Sequence, residues 1–192
     1  MLAAQAWRAA ELFTGEDIPE SRLEAAHADL LRQVRNVVLI GMPGCGKSTV
    51  GRALARRLGK EFLDLDQLVV EEARKSIPAI FAQEGEEAFR AMESRIVRRA
   101  GGRTGCVIST GGGVVTRREN YAPLHQNGVI VHLTRSLDLL PRAGRPVSQR
   151  TDPAALWRQR EGLYRAFADA EADNNGPLEA TLEQIEKELN AL

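Results

Sequence analysis

The chain has 192 residues, 43% of them apolar, which is enough for one compact domain with a core and too few for two full domains. Its 26 lysines and arginines balance 26 aspartates and glutamates, so no overall field favours a polyanion or an acidic membrane, and a nucleic-acid partner is not expected. Cys45 and Cys106 lack the number and spacing of a disulfide framework or a zinc site, no apolar run reaches the roughly 20 residues needed to cross a bilayer, and the N-terminus does not read as a signal peptide; a soluble, cytoplasmic protein is expected.

Apolar and alanine residues recur at helical spacing from Leu2 to Phe13, and Thr14-Gly15 ends that helix. Asp17 to Ser21 reads as a linker, and Ser21 with Glu24 predicts a capping box for a second helix running to about Gln33. Residues 1–35 are therefore expected to form a helical extension, and residues 36–192 one catalytic domain. Val37-Val38-Leu39-Ile40 is short, β-branched and followed by glycines, as in a buried strand. Further strands are expected at Glu61 to Leu65, Cys106 to Thr110 and Gly128 to Leu133, with helical segments between them, and a closing strand within Ala166 to Asp173. Thr181 to Leu192 returns to helical spacing. This alternation is the pattern of an α/β fold with a parallel sheet.

Directly after the first strand stands Gly41-Met42-Pro43-Gly44-Cys45-Gly46-Lys47-Ser48, a complete G-x-x-x-x-G-K-S, followed by a helical pattern to about Leu58. Glycines let such a loop turn its backbone N–H groups inward around a phosphate, where side chains would block the approach. Lys47 supplies a point charge to the β- and γ-phosphates of ATP, Ser48 a hydroxyl to Mg²⁺, and the helix N-terminus its dipole. Gly44, Cys45, Gly46, Lys47, Ser48 and Thr49 are the expected nucleotide-binding residues. The thiol of Cys45 fills a small-residue slot and has no assigned role.

A phosphate loop does not separate a GTPase switch, an ATPase and a small-molecule kinase. Four clusters bear on the choice. Asp64-Leu65-Asp66 closes the second strand, where side-chain alternation would put both carboxylates on one side, for a metal and a substrate hydroxyl, or as solvated turn or helix-capping acids. Arg90 and Glu93 lie three apart on an expected helix, the spacing of a surface ion pair as well as of a site. Gly111-Gly112-Gly113 follows a strand directly, where backbone N–H groups can approach a ligand. Arg142, Arg145 and Arg150 are set among Gly144, Pro146 and polar residues, as in a closing lid or a solvated basic loop. His27, His125 and His132 form no catalytic arrangement.

Asp64-x-Asp66, Gly85-Glu86-x-x-Phe89-Arg90-x-x-Glu93, Gly111-Gly112-Gly113 and Arg145-Pro146 occur in that order, and from about Asn36 to the C-terminus the chain resembles the shikimate kinases. The resemblance implies a P-loop NTPase fold with five parallel strands in the order 2-3-1-4-5 and helices on both faces. It implies that Asp66, Arg90, Gly111, Gly112, Gly113 and Arg160 hold shikimate, with Arg90 and Arg160 pairing its carboxylate. Ser48 and Asp64 would serve Mg²⁺, Lys47 the phosphates, and Arg145 would close onto ATP from a lid around 142–152. Lys47, Asp66 and Arg145 are the catalytic set, Asp66 orienting or deprotonating the attacking 3-hydroxyl. The family's Arg-x-Pro-Leu-Tyr reads Arg160-Glu161-Gly162-Leu163-Tyr164 here, and its Arg-Pro-Leu reads Arg145-Pro146-Val147.

The segment Met1-Leu2-x-x-Gln5-Ala6-x-x-Ala9-x-Glu11-Leu12-Phe13-Thr14-Gly15 resembles the closing helix of a shikimate dehydrogenase, which implies a fused dehydrogenase–kinase; an uninvolved amphipathic helix is the alternative. A monomer is expected. The rival functions are a gluconate-type or nucleoside monophosphate kinase, against which the Asp64/Asp66 pair and the triple glycine argue, and a nucleotide-binding module without transfer activity, against which intact Lys47, Ser48, Asp64 and Asp66 argue.

Overall fold

The structure, a computed structural model, describes residues 2–15, 17, 19–140 and 152–192. Two helices come first, α1 (Leu2–Thr14) and α2 (Glu20–Val34). Gly15, at φ +69°, ends α1 in the left-handed conformation that glycine adopts without cost, and its N–H returns to the Glu11 carbonyl at 2.9 Å. The capping box expected at Ser21 and Glu24 is not formed: α2 starts two residues earlier, with Pro19 as its N-cap, and Ser21 lies inside the first turn with no side chain capping the helix. The Pro19 carbonyl instead accepts the first bonds of the helix, from the N–H groups of Arg22 and Leu23 at 2.9 and 3.4 Å. No residue of α2 is buried, yet its last turn is tied down by Lys60, whose ammonium donates to the carbonyls of Arg32, Gln33 and Arg35 at 2.7, 3.0 and 2.8 Å. Burial lowers the Lys60 pKa.

From there strands and helices alternate: β1 (Asn36–Ile40), α3 (Lys47–Leu58), β2 (Glu61–Asp64), α4 (Leu65–Ala73), α5 (Ile77–Gly101), β3 (Cys106–Ser109), α6 (Tyr121–His125), β4 (Gly128–Thr134), α7 (Pro153–Phe167), β5 (Ala170–Asp173) and α8 (Leu178–Ala191). The strands form one sheet in the order β2-β3-β1-β4-β5, parallel throughout. Every residue of β1 and β3 is buried, so both faces of the sheet centre are covered, and this explains why these strands read as unbroken apolar runs. Ile40, Ile108 and Ile130 are fully buried, each contributing about 1.5–3 kcal/mol relative to exposure.

The closing strand is shorter than the stretch that suggested it, because α7 runs to Phe167 and β5 begins at Ala170. Its A-E-A-D sequence is poor in β-formers but has the strand period: Ala170 and Ala172 are buried, Glu171 and Asp173 exposed. At the edge of the sheet, outward charges also discourage pairing with a foreign strand. Helix α5 is broken at Gly85, at φ +84° and ψ 171°. A β-carbon there would meet nothing within 4 Å, so the glycine is required by backbone conformation and not by space.

Because all five strands run the same way, their C-terminal ends meet at one edge of the sheet. There β1 opens into Gly41, β2 ends on Asp64, β3 leads to Thr110-Gly111, β4 to Arg135 and β5 to Asn174. In open parallel sheets this edge carries the ligand crevice.

Candidate active site

The loop between β1 and α3 is shaped by close neighbours as well as by φ. Gly41, Gly44 and Gly46 have φ of +142°, +89° and +102°. A β-carbon on Gly41 would stand 2.5 Å from the Leu133 carbonyl oxygen, and one on Gly46 would collide with the Asn174 amide. That amide donates to the Cys45 carbonyl at 2.7 Å, so the end of β5 braces the loop from behind. Lys47 reaches back beneath its own loop, donating to the carbonyls of Gly41 and Met42 at 2.9 and 3.0 Å. This fixes a buried ammonium where a phosphate would lie against the backbone N–H groups. Cys45 is fully buried, with Sγ 3.8 Å from Lys47 Nζ, and does not line the cavity.

Asp64 and Asp66 do not share one side of a strand, because β2 ends at Asp64 and the chain turns at once into α4. Asp64 is the N-cap, its Oδ1 accepting from the N–H groups of Asp66 and Gln67 at 3.1 and 3.4 Å. Its Oδ2 accepts from Ser48 Oγ at 2.7 Å, and Ser48 Oγ lies 3.3 Å from Ser109 Oγ. Among the described residues no group of three or more His, Cys, Asp or Glu could hold a metal alone. One hydroxyl backed by one carboxylate fits Mg²⁺, which keeps water and phosphate oxygens and takes few protein ligands.

A cavity of about 790 Å³ opens over this edge of the sheet. The nucleotide side of its wall carries Gly44, Gly46, Lys47, Ser48 and Thr49; the other side carries Asp66, Arg90, the triple glycine and Arg160. Sites expected from separate stretches of sequence thus meet in one space. Asp64 stands behind Ser48, outside the cavity wall. Arg145, with Arg142, Arg150 and the rest of the expected lid up to residue 151, lies outside the described residues.

The Arg90–Glu93 pair is not a surface pair. Arg90 is 6% exposed and Glu93 1%, with Arg90 Nη1 donating to Glu93 Oε2 at 2.8 Å and Nη2 to Glu86 Oε1 at 3.1 Å. Burial works against the charge of Arg90, but Glu93 and Glu86 outweigh it and hold the guanidinium above its ordinary range. Burial pushes the Glu93 carboxyl up against the opposing pull of Arg90, and its Oε1 has no hydrogen-bond partner among the described residues. Arg90 is therefore clamped from behind and presented to the cavity.

The three glycines are small for reasons of space. A β-carbon on Gly111 would lie 2.7 Å from Glu93 Oε1 and 2.8 Å from Asp66 Oδ1; on Gly112, 2.7 Å from the Pro43 ring; on Gly113, inside the guanidinium of Arg90. All three also line the cavity, so their missing side chains both make room for site residues and leave backbone at its wall. Gly113→Ala is expected to displace Arg90 and raise the KM for the acid acceptor at least about tenfold, with the KM for ATP within twofold, in steady-state assays with each substrate varied. Equal rises in both would contradict this assignment.

The Gly112 carbonyl accepts from Arg160 Nη1 at 2.9 Å and from the Tyr164 hydroxyl at 2.5 Å. Tyr164 is fully buried, 3.9 Å from Met42 Sδ, and stacked on His132 with ring centroids 5.0 Å apart; burial pushes its pKa up, so it stays a donor. Gly162, where the family pattern has proline, meets nothing within 4 Å and leaves Arg160 in the cavity wall. Sequence reasoning missed Tyr164 and Asn174. The first belongs to the Arg160–Tyr164 stretch, whereas nothing local marks Asn174.

Comparison with known proteins agrees with this geometry. The family model described as shikimate kinase matches residues 43–190. A shikimate kinase of Geobacter sulfurreducens is 46% identical over 151 residues, covering 74% of this chain and 83% of its own, and one of Trichormus variabilis is 42% identical over 168 residues, covering 83% and 91%. The solved shikimate kinase of Acinetobacter baumannii in complex with shikimate superposes with a TM-score of 0.74 at 31% identity, covering 85% of this chain and 97% of that one. With its phosphate loop, Asp66, clamped arginine and triple glycine around one cavity, the chain belongs to the shikimate kinase family.

Proposed function

We propose that the protein transfers the γ-phosphoryl group of ATP to the 3-hydroxyl of shikimate, giving shikimate 3-phosphate and ADP in the route to aromatic amino acids. One observation carries the reading: a single cavity is walled by the phosphate loop on one side and by Asp66, Arg90 and Arg160 on the other. A carboxylate between two arginines has the charge-assisted, bidentate partners that fix an acid's orientation. Val70, Phe81 and Phe89 add an apolar wall suited to ring carbons.

Transfer is then mainly positioning and charge. Lys47 holds the β- and γ-phosphates from beneath the loop, and Arg145, by the family resemblance, would offset charge on the moving group. Asp66 orients the 3-hydroxyl and accepts its proton as the O–P bond forms, while ADP leaves on the loop. Ser48 and Asp64 would hold Mg²⁺, which when bound would neutralise phosphate charge.

Replacing Arg90 with alanine leaves Glu93 buried without its cation and the acid without a partner. The KM for shikimate is expected to rise about 10²-fold while that for ATP stays within threefold; unchanged acceptor affinity by calorimetry would remove Arg90 from the site. Among the described residues no helix is long and apolar enough to cross a membrane. We place the protein in the cytoplasm as a monomer, without nucleic acid or membrane as partner. By the resemblance of Met1 to Gly15, we read α1, which lies outside the matched residues 43–190, as the closing helix of a dehydrogenase part, with an uninvolved amphipathic helix as the alternative.

The function is tested by ADP release from Mg²⁺-ATP with shikimate, gluconate and nucleoside monophosphates in parallel. Stimulation by shikimate alone is expected. Stimulation by gluconate or a nucleotide instead would reassign the acceptor, and nucleotide binding with no stimulation at all would make the chain a binding module.

A further inference from the structure

Four described cations line the cavity, and three are committed: Lys47 to the loop carbonyls, Arg90 to its two glutamates and Arg160 to the Gly112 carbonyl. The fourth is Arg135, the residue after β4, which no motif or family pattern singled out. Its Nε is buried and has no hydrogen-bond partner among the described residues. Its Nη1 lies 3.8 Å from where a β-carbon on Gly46 would stand, beside the left-handed N-cap of α3. A buried donor without a partner is costly, and a guanidinium at the rim of a phosphate loop has a natural one in a phosphate oxygen.

The backbone around it is held on both sides. Asn174 N–H donates to the Thr134 carbonyl at 2.9 Å, and Ser136 N–H to Asn175 Oδ1 at 2.8 Å, so Arg135 sits on a junction between the ends of β4 and β5. A cation on so fixed a base can be aimed with little loss of freedom on binding. Lys47 lies under the Gly41 end of the loop and Arg135 beside its Gly46 end, which brackets a polyphosphate between two charges.

We propose that Arg135 is a further nucleotide-binding residue, holding the phosphates of ATP and ADP from the β4 side and taking no part in acceptor binding. The proposal rests on the kinase reading above. It is tested by calorimetric titration of ADP into the wild type, R135M, which keeps an unbranched stem without charge, and R135K, which keeps the charge without the fork. Shikimate KM at saturating ATP and unliganded melting temperature are measured alongside. ADP affinity is expected to fall about tenfold in R135M and about threefold in R135K, with shikimate KM and melting temperature little changed. ADP affinity in R135M within twofold of wild type would overturn the proposal. So would a joint loss of ADP affinity, shikimate affinity and melting temperature, which would mark a structural residue. A wild type that fails to bind ADP would overturn the kinase reading as well, so the two failures are told apart by the wild-type titration.

Discussion

Replacing Lys47 with alanine is expected to lower kcat at least about 10³-fold while leaving the fold intact. The ammonium makes its short hydrogen bonds to two carbonyls of its own loop, and its burial among them places a full charge at the bottom of the phosphate site. That charge becomes more valuable as negative charge builds on the phosphoryl oxygens, so the loss should appear in turnover more than in ATP affinity. The loop's shape depends instead on its glycines and on the Asn174 amide, which the substitution leaves in place. Quenched-flow turnover with a parallel thermal melt checks this, and a kcat within tenfold of wild type with an unchanged melt would remove Lys47 from the chemistry.

Asp66→Asn separates the two roles open to that carboxylate. Asparagine keeps the size and a carbonyl oxygen to orient the acceptor hydroxyl but cannot take its proton. If Asp66 accepts the proton, kcat falls by about 10²-fold or more with a smaller change in shikimate KM. A rise in KM with kcat preserved would confine Asp66 to orientation. The crowding of Asp66 Oδ1 and Glu93 Oε1 over Gly111 gives the experiment a control: Gly111→Ala should disturb both carboxylates and be worse for KM than Asp66→Asn.

The central strand, the phosphate loop and the helix after it were legible because each carries a local signal, respectively an apolar run, a fixed glycine spacing and a helical period. Where a tertiary neighbour decides, the local signal failed. Ser21 looks like a cap, but the helix takes Pro19, two residues earlier, as its N-cap. Asp64 and Asp66 suit alternating strand residues as well as helix caps, and the end of the strand makes Asp64 the cap of α4. Arg90 and Glu93 have the spacing of a solvated pair, and only the packing of α5 against the glycine loop buries them. The triple glycine shows in sequence that backbone can approach a ligand there, but not that each position also makes room for a different neighbour. Arg135 is one cation at a strand end, and nothing in its surroundings along the chain distinguishes it from a surface arginine.

The most direct test of the whole account is the identity of the product. Wild-type protein is incubated with Mg²⁺-ATP and shikimate, and the mixture is followed by phosphorus and proton NMR. One equivalent of ADP for each equivalent of a phosphate monoester on the 3-hydroxyl is the expected result. ADP appearing with free phosphate and unmodified shikimate, or the phosphate arriving on a different hydroxyl, would contradict it.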